Sequence, residues 1–349
     1  MPDLLDLAVK QLRDGHLVAI PTETVYGLAA DANNVVAVNK VFAAKGRPSG
    51  HPLIVHIVNP VLPSMTSAES QYAWQQALIS WSRDVSPQAL ALAQAFWPGP
   101  LTMILPKAKN VLSEVTGGQE TVGVRCPNHP VAQQLLNLFG GAVVAPSANR
   151  FGRISPTTSE HVKEEFPDES IMILDGGACD VGIESTIVDL SRLDTHGAVV
   201  LRPGAISKAM IDKALDQAGL LNDVALSLKA DLTKPRVSGS LSAHYAPRTK
   251  LVLYDPDQQD LINVNNHKDK RVAWAHFQKS KGINLSLACD VQEIVLPDTP
   301  NQLARSLYAT LRTLDQLNVD IIYFEKLPIH EEWDAIRDRL GRASVGSGV

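Results

Sequence analysis

The first part of the chain alternates between segments with a helical spacing of apolar residues and short apolar runs that are typical of strands. Apolar positions recur every three or four residues over Leu4 to Arg13 and again over Val35 to Ala44. The apolar run HLVAIP follows the first of these segments, and PLIVHIV follows the second. This alternation predicts an α/β fold.

The same alternation continues to residue 220. Further strands are predicted for LTMILP, TVGVRCP, AVVAPSA, IMILDGG, ESTIVDL and AVVLRP. Further helices are predicted over Pro87 to Phe96, His129 to Phe139, Ser159 to Phe166 and Ser207 to Ala218. Many of the strands end in Pro or Gly, which open the loops where site residues usually lie.

The stretch from Leu221 to Lys250 loses this periodicity and collects Ser, Gly, Pro and Lys, as interdomain linkers do. A second alternating series follows, with the strands KLVLYD, RVAWAHF, EIVLP and VDIIYFEKLP and the helices NQLARSLYATLRTLDQLN and EEWDAIRDRLGRAS. We therefore predict an N-terminal α/β domain over residues 1–220, a linker over 221–249 and a small parallel, Rossmann-like α/β domain over 250–349. The last residues, SVGSGV, are expected to fray.

The composition is that of a folded protein, and it excludes some classes of function. With 349 residues, 45% of them hydrophobic, the chain is long enough for two domains. It contains neither about 18 consecutive apolar residues nor a signal-peptide pattern, so we expect a cytoplasmic protein without a membrane span. Cys126, Cys179 and Cys289 lack the spacing of a structural zinc site. The net charge of -5 argues against a broad nucleic-acid surface, so an anion site must be local.

Cations interrupt the pattern at places where an anionic ligand would explain them. Lys45 and Arg47 stand two apart in KGRPSGHP, beside glycines that let a ligand approach the backbone. Arg and Lys together favour phosphate, although a helix C-terminus favours the same cations. Arg125 lies on a strand, where a cation is costly unless it is paired or bound to an anion. Arg202 and Ser185 likewise put polar groups into apolar strands.

Two loops collect short polar side chains. PTETVYGLAAD places two hydroxyls and the carboxylate of Glu23 after an apolar strand, and a turn with a solvated Glu23 explains this equally well. VAPSANRFGRISPT contains Ser147, Asn149 and Ser155, which are either donors of one site or parts of an ordinary Asn/Ser turn.

Several familiar chemistries can be set aside, because the sequence has no phosphate-binding P-loop, no dinucleotide-binding glycine motif, no H-E-x-x-H, no EF-hand loop and no nucleophile elbow. His129 is expected to cap the helix that follows it. Six other histidines are expected at the surface or in packing, namely His16, His161, His196, His267, His276 and His330.

The chain contains, in this order, the segments PTETVYGL, KGRP, HPLIVHI, WPGPLT, VGVRCPNHP, APSAN, IESTIVDL and LRPG. Their order and approximate spacing are those of the YrdC-like family, and the chain resembles the long, two-domain form of that family. The family's K-x-R and S-x-N signature is present as Lys45, Arg47, Ser147 and Asn149, and HYAP follows the linker. The resemblance implies a twisted mixed sheet with helices in the N-terminal domain and a Rossmann-like parallel α/β domain at the C-terminus.

The resemblance also implies an enzyme, a nucleotidyltransferase. It would condense L-threonine, bicarbonate and ATP to L-threonylcarbamoyladenylate and release pyrophosphate. The product would pass to a tRNA threonylcarbamoyl transferase, for modification of adenosine 37 in tRNAs that read codons beginning with A. Mg²⁺ would be carried on the ATP, because no carboxylate cluster suggests a metal site in the protein itself.

Site residues carry over by the same resemblance. The catalytic residues would be Lys45, Arg47, Ser147 and Asn149. Threonine would be held by Thr24, His56, Arg125 and Ser185, with Arg125 pairing with its carboxylate. ATP would be held by Arg47, His51, Thr121, Ser147, Ser155 and Arg202, and by His244 or Tyr245 closing from the linker.

Some features depart from the family, and one alternative stays open. The linker SGSLSAHYAP lacks the aromatic and basic residues that precede HYAP in some archaeal members. Residues 61–86 resemble the family least and are assigned no function. The alternative is a non-catalytic double-stranded RNA-binding module, for which weak RNA binding would be expected. A carbamoyl-transfer domain of a hydrogenase maturation factor is disfavoured, because the zinc-finger cysteines and the acylphosphatase segment are missing. For the C-terminal domain we expect a lid or docking role.

Overall fold

A computed structural model describes residues 2–167, 171–221, 225–226, 234–256, 269–278 and 290–348, and the chain divides into two compact units. The first unit consists of Met1–Arg150, Pro156–Asp180 and Glu184–Ser240. The second consists of Phe151–Ser155, Val181–Ile183 and Leu241–Val349. His267 and Cys289 lie outside the described residues.

The first unit is built on a mixed sheet. The strands described in it are β1 (Val18–Ile20), β2 (Gly27–Asp31), β3 (Ile54–His56), β4 (Leu101–Pro106), β5 (Thr121–Arg125), β6 (Val143–Val144), β7 (Met172–Ile173), β8 (Thr186–Asp189), β9 (Val199–Arg202) and β10 (Ala225–Leu226). They run across the sheet in the order β10-β9-β8-β4-β5-β3-β6-β2-β1-β7. In its centre β3 and β5 are parallel, β4 is antiparallel to β5, and β8 is parallel to β4. The predicted mixed sheet of an α/β domain is confirmed.

Helices accompany this sheet along the chain. They are α1 (Pro2–Arg13), α2 (Val35–Lys45), α3 (Ser67–Ile79), α4 (Pro87–Phe96), α5 (Ser113–Thr116), α6 (Pro130–Phe139), α7 (Ser159–Glu165), α8 (Leu193–His196) and α9 (Lys208–Gln217). The main core buries the apolar residues of β4, β5 and β6 together with those of α2 and α4. A smaller core lies between α1, α6 and the sheet.

Local sequence signals set the ends of the helices that matter for the site. Asn34 accepts hydrogen bonds from the backbone amides of Val36 and Ala37 and so begins α2. Gly46 ends the same helix with a φ of 62°, a left-handed conformation that glycine adopts without strain. The chain can therefore turn directly from Lys45 into the KGRP loop. His129 is the N-cap of α6, as predicted from the sequence.

The second unit contains a parallel sheet. Its described strands are β11 (Leu251–Tyr254), β12 (Arg271–Phe277), β13 (Asp290–Leu296) and β14 (Ile321–Glu325), in the order β11-β14-β12-β13. The helices α10 (Pro300–Gln316) and α11 (Asp334–Gly346) belong to the same unit. All pairings in this sheet are parallel, so the predicted Rossmann-like C-terminal domain is confirmed.

The expectation that the last residues fray is wrong for residues 344–348. Helix α11 continues to Gly346, and Ser347 is buried. The backbone amide of Leu251 donates a hydrogen bond to Ser347 Oγ at 2.9 Å, and Ser344 Oγ donates to the Leu251 carbonyl at 3.0 Å. The C-terminal turn is ordered because its hydroxyls pair with the first residue of β11.

The other residues singled out in the sequence have ordinary structural places. His16, His196 and His330 are exposed, and His161 is half-buried. His276 is buried and stacks on Trp274. Cys126 and Cys179 are buried free thiols, and burial raises the pKa of each to about 12, so neither is a nucleophile at neutral pH. Among the described helices, none has the length and hydropathy needed to cross a bilayer.

Candidate functional site

One face of the central strands in the first unit collects several of the predicted site residues. Side chains alternate along a strand, so Thr121, Gly123 and Arg125 of β5 face the same side. Ile54 and His56 of β3 lie opposite Gly123 and Arg125 in the parallel register, and therefore share this face. On this face, polar side chains therefore surround apolar residues such as Ile54, which we call the floor of the site.

Neighbouring strands extend this face toward β9. A Cβ atom added to Gly123 would lie 3.3 Å from Ile104 Cδ1 and 3.6 Å from Thr102 Cγ2, so both β4 side chains border the glycine. The hydroxyls of Thr102 and Ser185 are 2.8 Å apart. Ile187 of β8 pairs with Arg202 of β9, which brings this arginine to the far side of the same face.

Arg125 is buried and held by three neighbouring groups. Its Nε donates to the Gly99 carbonyl at 3.2 Å, and its Nη1 donates to Thr24 Oγ1 at 2.8 Å. Its Nη2 lies 2.6 Å from Glu23 Oε1. The backbone amide of Asn128 donates to Glu23 Oε2 at 3.0 Å. Glu23 is only 6% exposed, so the interpretation of a turn with a solvated Glu23 is wrong: the carboxylate compensates a buried guanidinium.

The backbone of this loop is fixed by its own hydroxyls. Thr22 Oγ1 lies 2.9 Å from Thr24 Oγ1 and donates to the Val25 carbonyl at 2.6 Å. Thr24 therefore presents its oxygen to Arg125 from a loop with little freedom.

His56 lies beside Arg125 and is neutral. Burial, and next the positive charge of Arg125, lower the pKa of His56 to about 3. Its Nδ1 is 3.1 Å from the Ile54 carbonyl, which can only accept, so Nδ1 carries the hydrogen. Nε2 is then an acceptor, suited to a hydroxyl donor.

Lys45 connects the end of α2 to the loop after β6. Its Nζ donates hydrogen bonds to the backbone carbonyls of Ser147 and of Asn149, the latter at 2.6 Å. Burial, and next the charge of Arg47, lower the pKa of Lys45 well below its ordinary value. In either protonation state the amino group of Lys45 has N–H donors for both carbonyls. The structure therefore brings Lys45, Ser147 and Asn149 together.

Arg47 and Arg202 both contact Ser238 of the predicted linker. Arg47 Nη2 donates to Ser238 Oγ at 2.9 Å and to the Pro52 carbonyl at 2.8 Å. Arg202 Nη1 donates to the Ser238 carbonyl at 2.9 Å, and its Nη2 donates to the Ser185 carbonyl at 2.8 Å. One linker residue thus joins two of the predicted ATP-binding arginines.

The linker residues next to Ser238 pack on the same face. Arg236 Nη2 donates to the Gly117 carbonyl at 2.8 Å, and the Arg236 amide donates to Gln119 Oε1 at 2.7 Å. Val237 is buried and packs with three isoleucines of the floor, Ile54, Ile104 and Ile187. Thr121 lines the narrow pocket that remains beside this segment.

His51 stands at the edge of this positive region. Burial, then the charge of Arg47, then that of Arg236, lower the pKa of His51. The nearby positive charges make protonation of His51 unfavourable. Such a cluster of positive charges is typical of a site that binds anions.

The remaining predicted ATP-binding residues belong to the second unit. Ser155, His244 and Tyr245 are all buried in it. Tyr245 has a φ of 61°, and its ring lies 5.6 Å from the ring of Tyr308 and 5.6 Å from the guanidinium carbon of Arg339. Their participation in an ATP site stays a prediction.

Sequence reasoning left Glu23 open between a site residue and a solvated turn, and it did not select Thr102 or Ser238. Thr102 is the one polar residue in the strand LTMILP, and this break in an apolar run could have marked it. Ser238 lies in a stretch without periodicity and carries no comparable signal. In the described part of the chain, no three His, Cys, Asp or Glu side chains are grouped so that they could hold a metal ion.

Two family models match the chain. The model Sua5_yciO_yrdC, described as "Telomere recombination", matches residues 10–204. The model Sua5_C, described as "Threonylcarbamoyl-AMP synthase, C-terminal domain", matches residues 206–345.

Similar proteins cover both matched regions. A threonylcarbamoyl-AMP synthase of Pyrococcus abyssi (strain GE5 / Orsay) is 35% identical over 97% of this chain and 93% of its own length. A threonylcarbamoyl-AMP synthase of Bacillus subtilis (strain 168) is 37% identical over 97% of this chain and 92% of its own length. The crystal structure of P. abyssi Sua5 complexed with L-threonine matches with a TM-score of 0.81 at 34% identity, covering 98% of this chain and 94% of that one.

Proposed function

The chain belongs to the Sua5/YciO/YrdC family, in the two-domain form, and from that membership we propose that it synthesises L-threonylcarbamoyladenylate. The protein is an enzyme of nucleotidyl transfer. In the proposed reaction it condenses L-threonine, bicarbonate and ATP and releases pyrophosphate. The product passes to a tRNA threonylcarbamoyl transferase in the cytoplasm, which modifies adenosine 37 of tRNAs that read codons beginning with A.

The observation that supports this proposal best is the arrangement of arginines on one sheet face. Arg125, with Thr24 beside it, stands at the β5 end of the face. Arg202 stands at the β9 end, and Arg47 contacts the same linker residue as Arg202. The substrates are a carboxylate and a polyphosphate, so a site with separate cationic ends suits both.

The chemistry needs charge neutralisation and alignment, and it needs no nucleophile from the protein. The amine of threonine attacks bicarbonate and forms a carbamate with loss of water. A carboxylate oxygen of the carbamate then attacks the α-phosphorus while pyrophosphate leaves in line. Both reactants are anions that repel each other. We assign Arg125 to the threonine carboxylate and Arg47 and Arg202 to the phosphates, where fixed cations lower this repulsion.

His56 accounts for recognition of the threonine side chain. Its Nδ1 donates to the Ile54 carbonyl, and its Nε2 therefore accepts a hydrogen bond from the substrate hydroxyl. A site that pairs with a buried hydroxyl strongly rejects analogues that lack it. Serine differs only by a methyl group, which is worth about 1 to 3 kcal/mol of discrimination.

Mg²⁺ enters this proposal as a companion of ATP. The predicted ATP-binding side chains are Arg, His, Ser, Thr and Tyr, and none of them is the carboxylate that Mg²⁺ prefers. We therefore assign the ion to the phosphates of the substrate and to no residue of the protein.

A double-stranded RNA-binding role has less support. Lys45, Arg47 and Arg202 are 2%, 8% and 3% exposed. Binding to the phosphates of a duplex requires cations that its backbone can reach. These three side chains are better placed for a small anion inside the protein.

Pyrophosphate release tests the proposed function. The full-length protein is incubated with L-threonine, bicarbonate and Mg-ATP, and then with each of them omitted in turn. We expect release only from the complete mixture, together with a product of the mass of threonylcarbamoyl-AMP. Release that does not depend on threonine, or none from the complete mixture, would contradict the proposal.

A further inference from the structure

Glu23 and Arg125 are opposite charges in contact, yet they do not form a hydrogen bond with each other. Oε1 and Nη2 are 2.6 Å apart, and the two side chains are 7% and 5% exposed. Even so, neither atom has an aligned hydrogen-bond partner among the described residues. The short distance reflects charge attraction, while the N–H bonds of Nη2 point elsewhere.

Both groups therefore keep hydrogen-bonding capacity that buried charged groups normally use. The Nε–H of Arg125 meets the Gly99 carbonyl and one N–H of Nη1 meets Thr24 Oγ1, while neither N–H group of Nη2 has an aligned partner among the described residues. Glu23 Oε2 is satisfied by the amide of Asn128, which leaves Oε1 as an acceptor. An anionic acceptor and a cationic donor thus stand side by side.

We propose that Glu23 Oε1 binds the ammonium group of the α-amino acid whose carboxylate is assigned above to Arg125. This inference rests on the proposed function and deepens it, because it adds a specificity residue for the amino group. A single carbon separates the two charged groups of an α-amino acid. Both can therefore reach a donor and an acceptor that are 2.6 Å apart.

The balance of charges around Arg125 also favours an ammonium group at Glu23. A carboxylate alone would place two anions around one buried guanidinium, with Glu23 and the ligand repelling each other in a medium that screens poorly. The neighbouring His56 is neutral and offers no further positive charge. The ammonium of the amino acid supplies the missing cation, so Glu23 selects against carboxylic acids that lack an amino group.

Ligand analogues test this on the unaltered, full-length protein by isothermal titration calorimetry. The probes are L-threonine, (R)-3-hydroxybutyrate, which lacks the amino group, and L-threonine methyl ester, which lacks the carboxylate charge. We expect each analogue to bind at least about tenfold more weakly than threonine, the usual effect of a lost hydrogen bond to a charged group. Binding of (R)-3-hydroxybutyrate as tight as that of threonine would overturn the inference.

The variant Glu23→Gln tests the same contact from the protein side. It should weaken threonine binding at least about tenfold and leave (R)-3-hydroxybutyrate binding equal or tighter, because the repelling charge is removed. Glu120→Gln is the matched control, since Glu120 is an exposed carboxylate in surface ion pairs, and it should change neither affinity. Equal loss of both ligands in Glu23→Gln would mean that Glu23 only positions Arg125, and would also overturn the inference.

The proposed function and the binding of the ammonium by Glu23 can be disproved separately. If the unaltered protein releases pyrophosphate with threonine but binds (R)-3-hydroxybutyrate equally well, the inference about the ammonium alone is wrong. If it neither releases pyrophosphate nor binds threonine, the proposed function is wrong and the inference falls with it. The analogue titrations keep the inference testable even where Glu23→Gln does not fold.

Discussion

The hydroxyl of Ser238 accepts a hydrogen bond from Arg47 Nη2 at 2.9 Å, so a linker residue holds a cation that we assign to ATP. The carbonyl of Ser238 accepts a second one from Arg202 Nη1 at 2.9 Å. Phosphate oxygens would need the same N–H groups. Nucleotide binding and this linker position therefore compete for the two arginines.

Removing the hydroxyl of Ser238 should favour the nucleotide in this competition. In Ser238→Ala, Arg47 lacks its hydrogen bond to the Ser238 hydroxyl before ATP binds. Less binding free energy is therefore lost when the phosphates take up the N–H groups of Arg47. We expect the KM for ATP to fall about two- to tenfold, in line with one hydrogen bond of modest net value. Steady-state pyrophosphate release at varied ATP concentration measures this.

Ser240→Ala is the matched control, because its hydroxyl donates to the Val237 carbonyl within the same segment. The KM for ATP should stay unchanged in this variant. A rise of the KM in Ser238→Ala would show instead that Ser238 helps to hold the nucleotide.

Lys45→Met should abolish most of the activity. The change keeps the length of the side chain but leaves the carbonyls of Ser147 and Asn149 without their donor in a buried place. We expect the free energy of unfolding to fall by about 1 to 3 kcal/mol and pyrophosphate release to fall at least about a hundredfold. Urea unfolding and the release assay measure the two effects.

Lys40→Met on the same helix is the control. Lys40 is exposed, and its Nζ donates to the Gly15 carbonyl at 2.7 Å instead of to the loop that holds Ser147 and Asn149. It should keep full activity and nearly full stability. Full activity in Lys45→Met would remove Lys45 from the set of catalytic residues.

The sequence predicted the layered α/β architecture well, because apolar runs such as LTMILP and TVGVRCP coincide with β4 and β5. It missed β2, since GLAAD follows a polar loop and is rich in small residues. It also missed α3, although Thr66 and Glu69 form a capping box that starts this helix. That signal was available in the sequence.

The strand pattern pointed to site residues where a polar residue interrupts an apolar run. Arg125 and Arg202 could be selected in this way, because burying a cation requires a partner. The partner itself could not be read off the sequence. Glu23 lies 102 positions before Arg125, and Ser238 lies in a segment without periodicity, so both contacts depend on strand order and register.

Gly182→Ala should destabilise the second unit through a backbone contact. A Cβ at Gly182 would lie 2.5 Å from the Cα of Arg305 in α10, and the φ of 78° is itself unfavourable for alanine. We expect a loss of more than about 2 kcal/mol in the free energy of unfolding, since a helix backbone cannot move aside cheaply. Thermal unfolding of the full-length protein measures this.

Gly152→Ala separates the two causes. Gly152 belongs to the same unit and has a φ of 82°, but a Cβ there would meet nothing within 4 Å. This variant should lose only the conformational part, about 1 kcal/mol. Similar losses in both variants would mean that the close approach to α10 is unimportant.

His56→Gln should make the protein less sensitive to acid. The pKa of His56 is about 3 in the folded protein, against an ordinary value of 6.5, so between these pH values the unfolded chain binds more protons than the folded one. The free energy of unfolding therefore falls as the pH drops below 6.5. From pH 7 to pH 5 the wild type should lose about 2 kcal/mol more than His56→Gln, as urea unfolding at both pH values would measure.

His16→Gln, at an exposed histidine, should follow the wild type in this experiment. Equal losses in His56→Gln and the wild type would have a consequence beyond stability. They would mean that His56 takes up a proton in the folded protein at pH 5, so burial and Arg125 would not hold it neutral. Its Nε2 would then be a donor at that pH, and the proposed pairing with a substrate hydroxyl would lose the acceptor on which it depends.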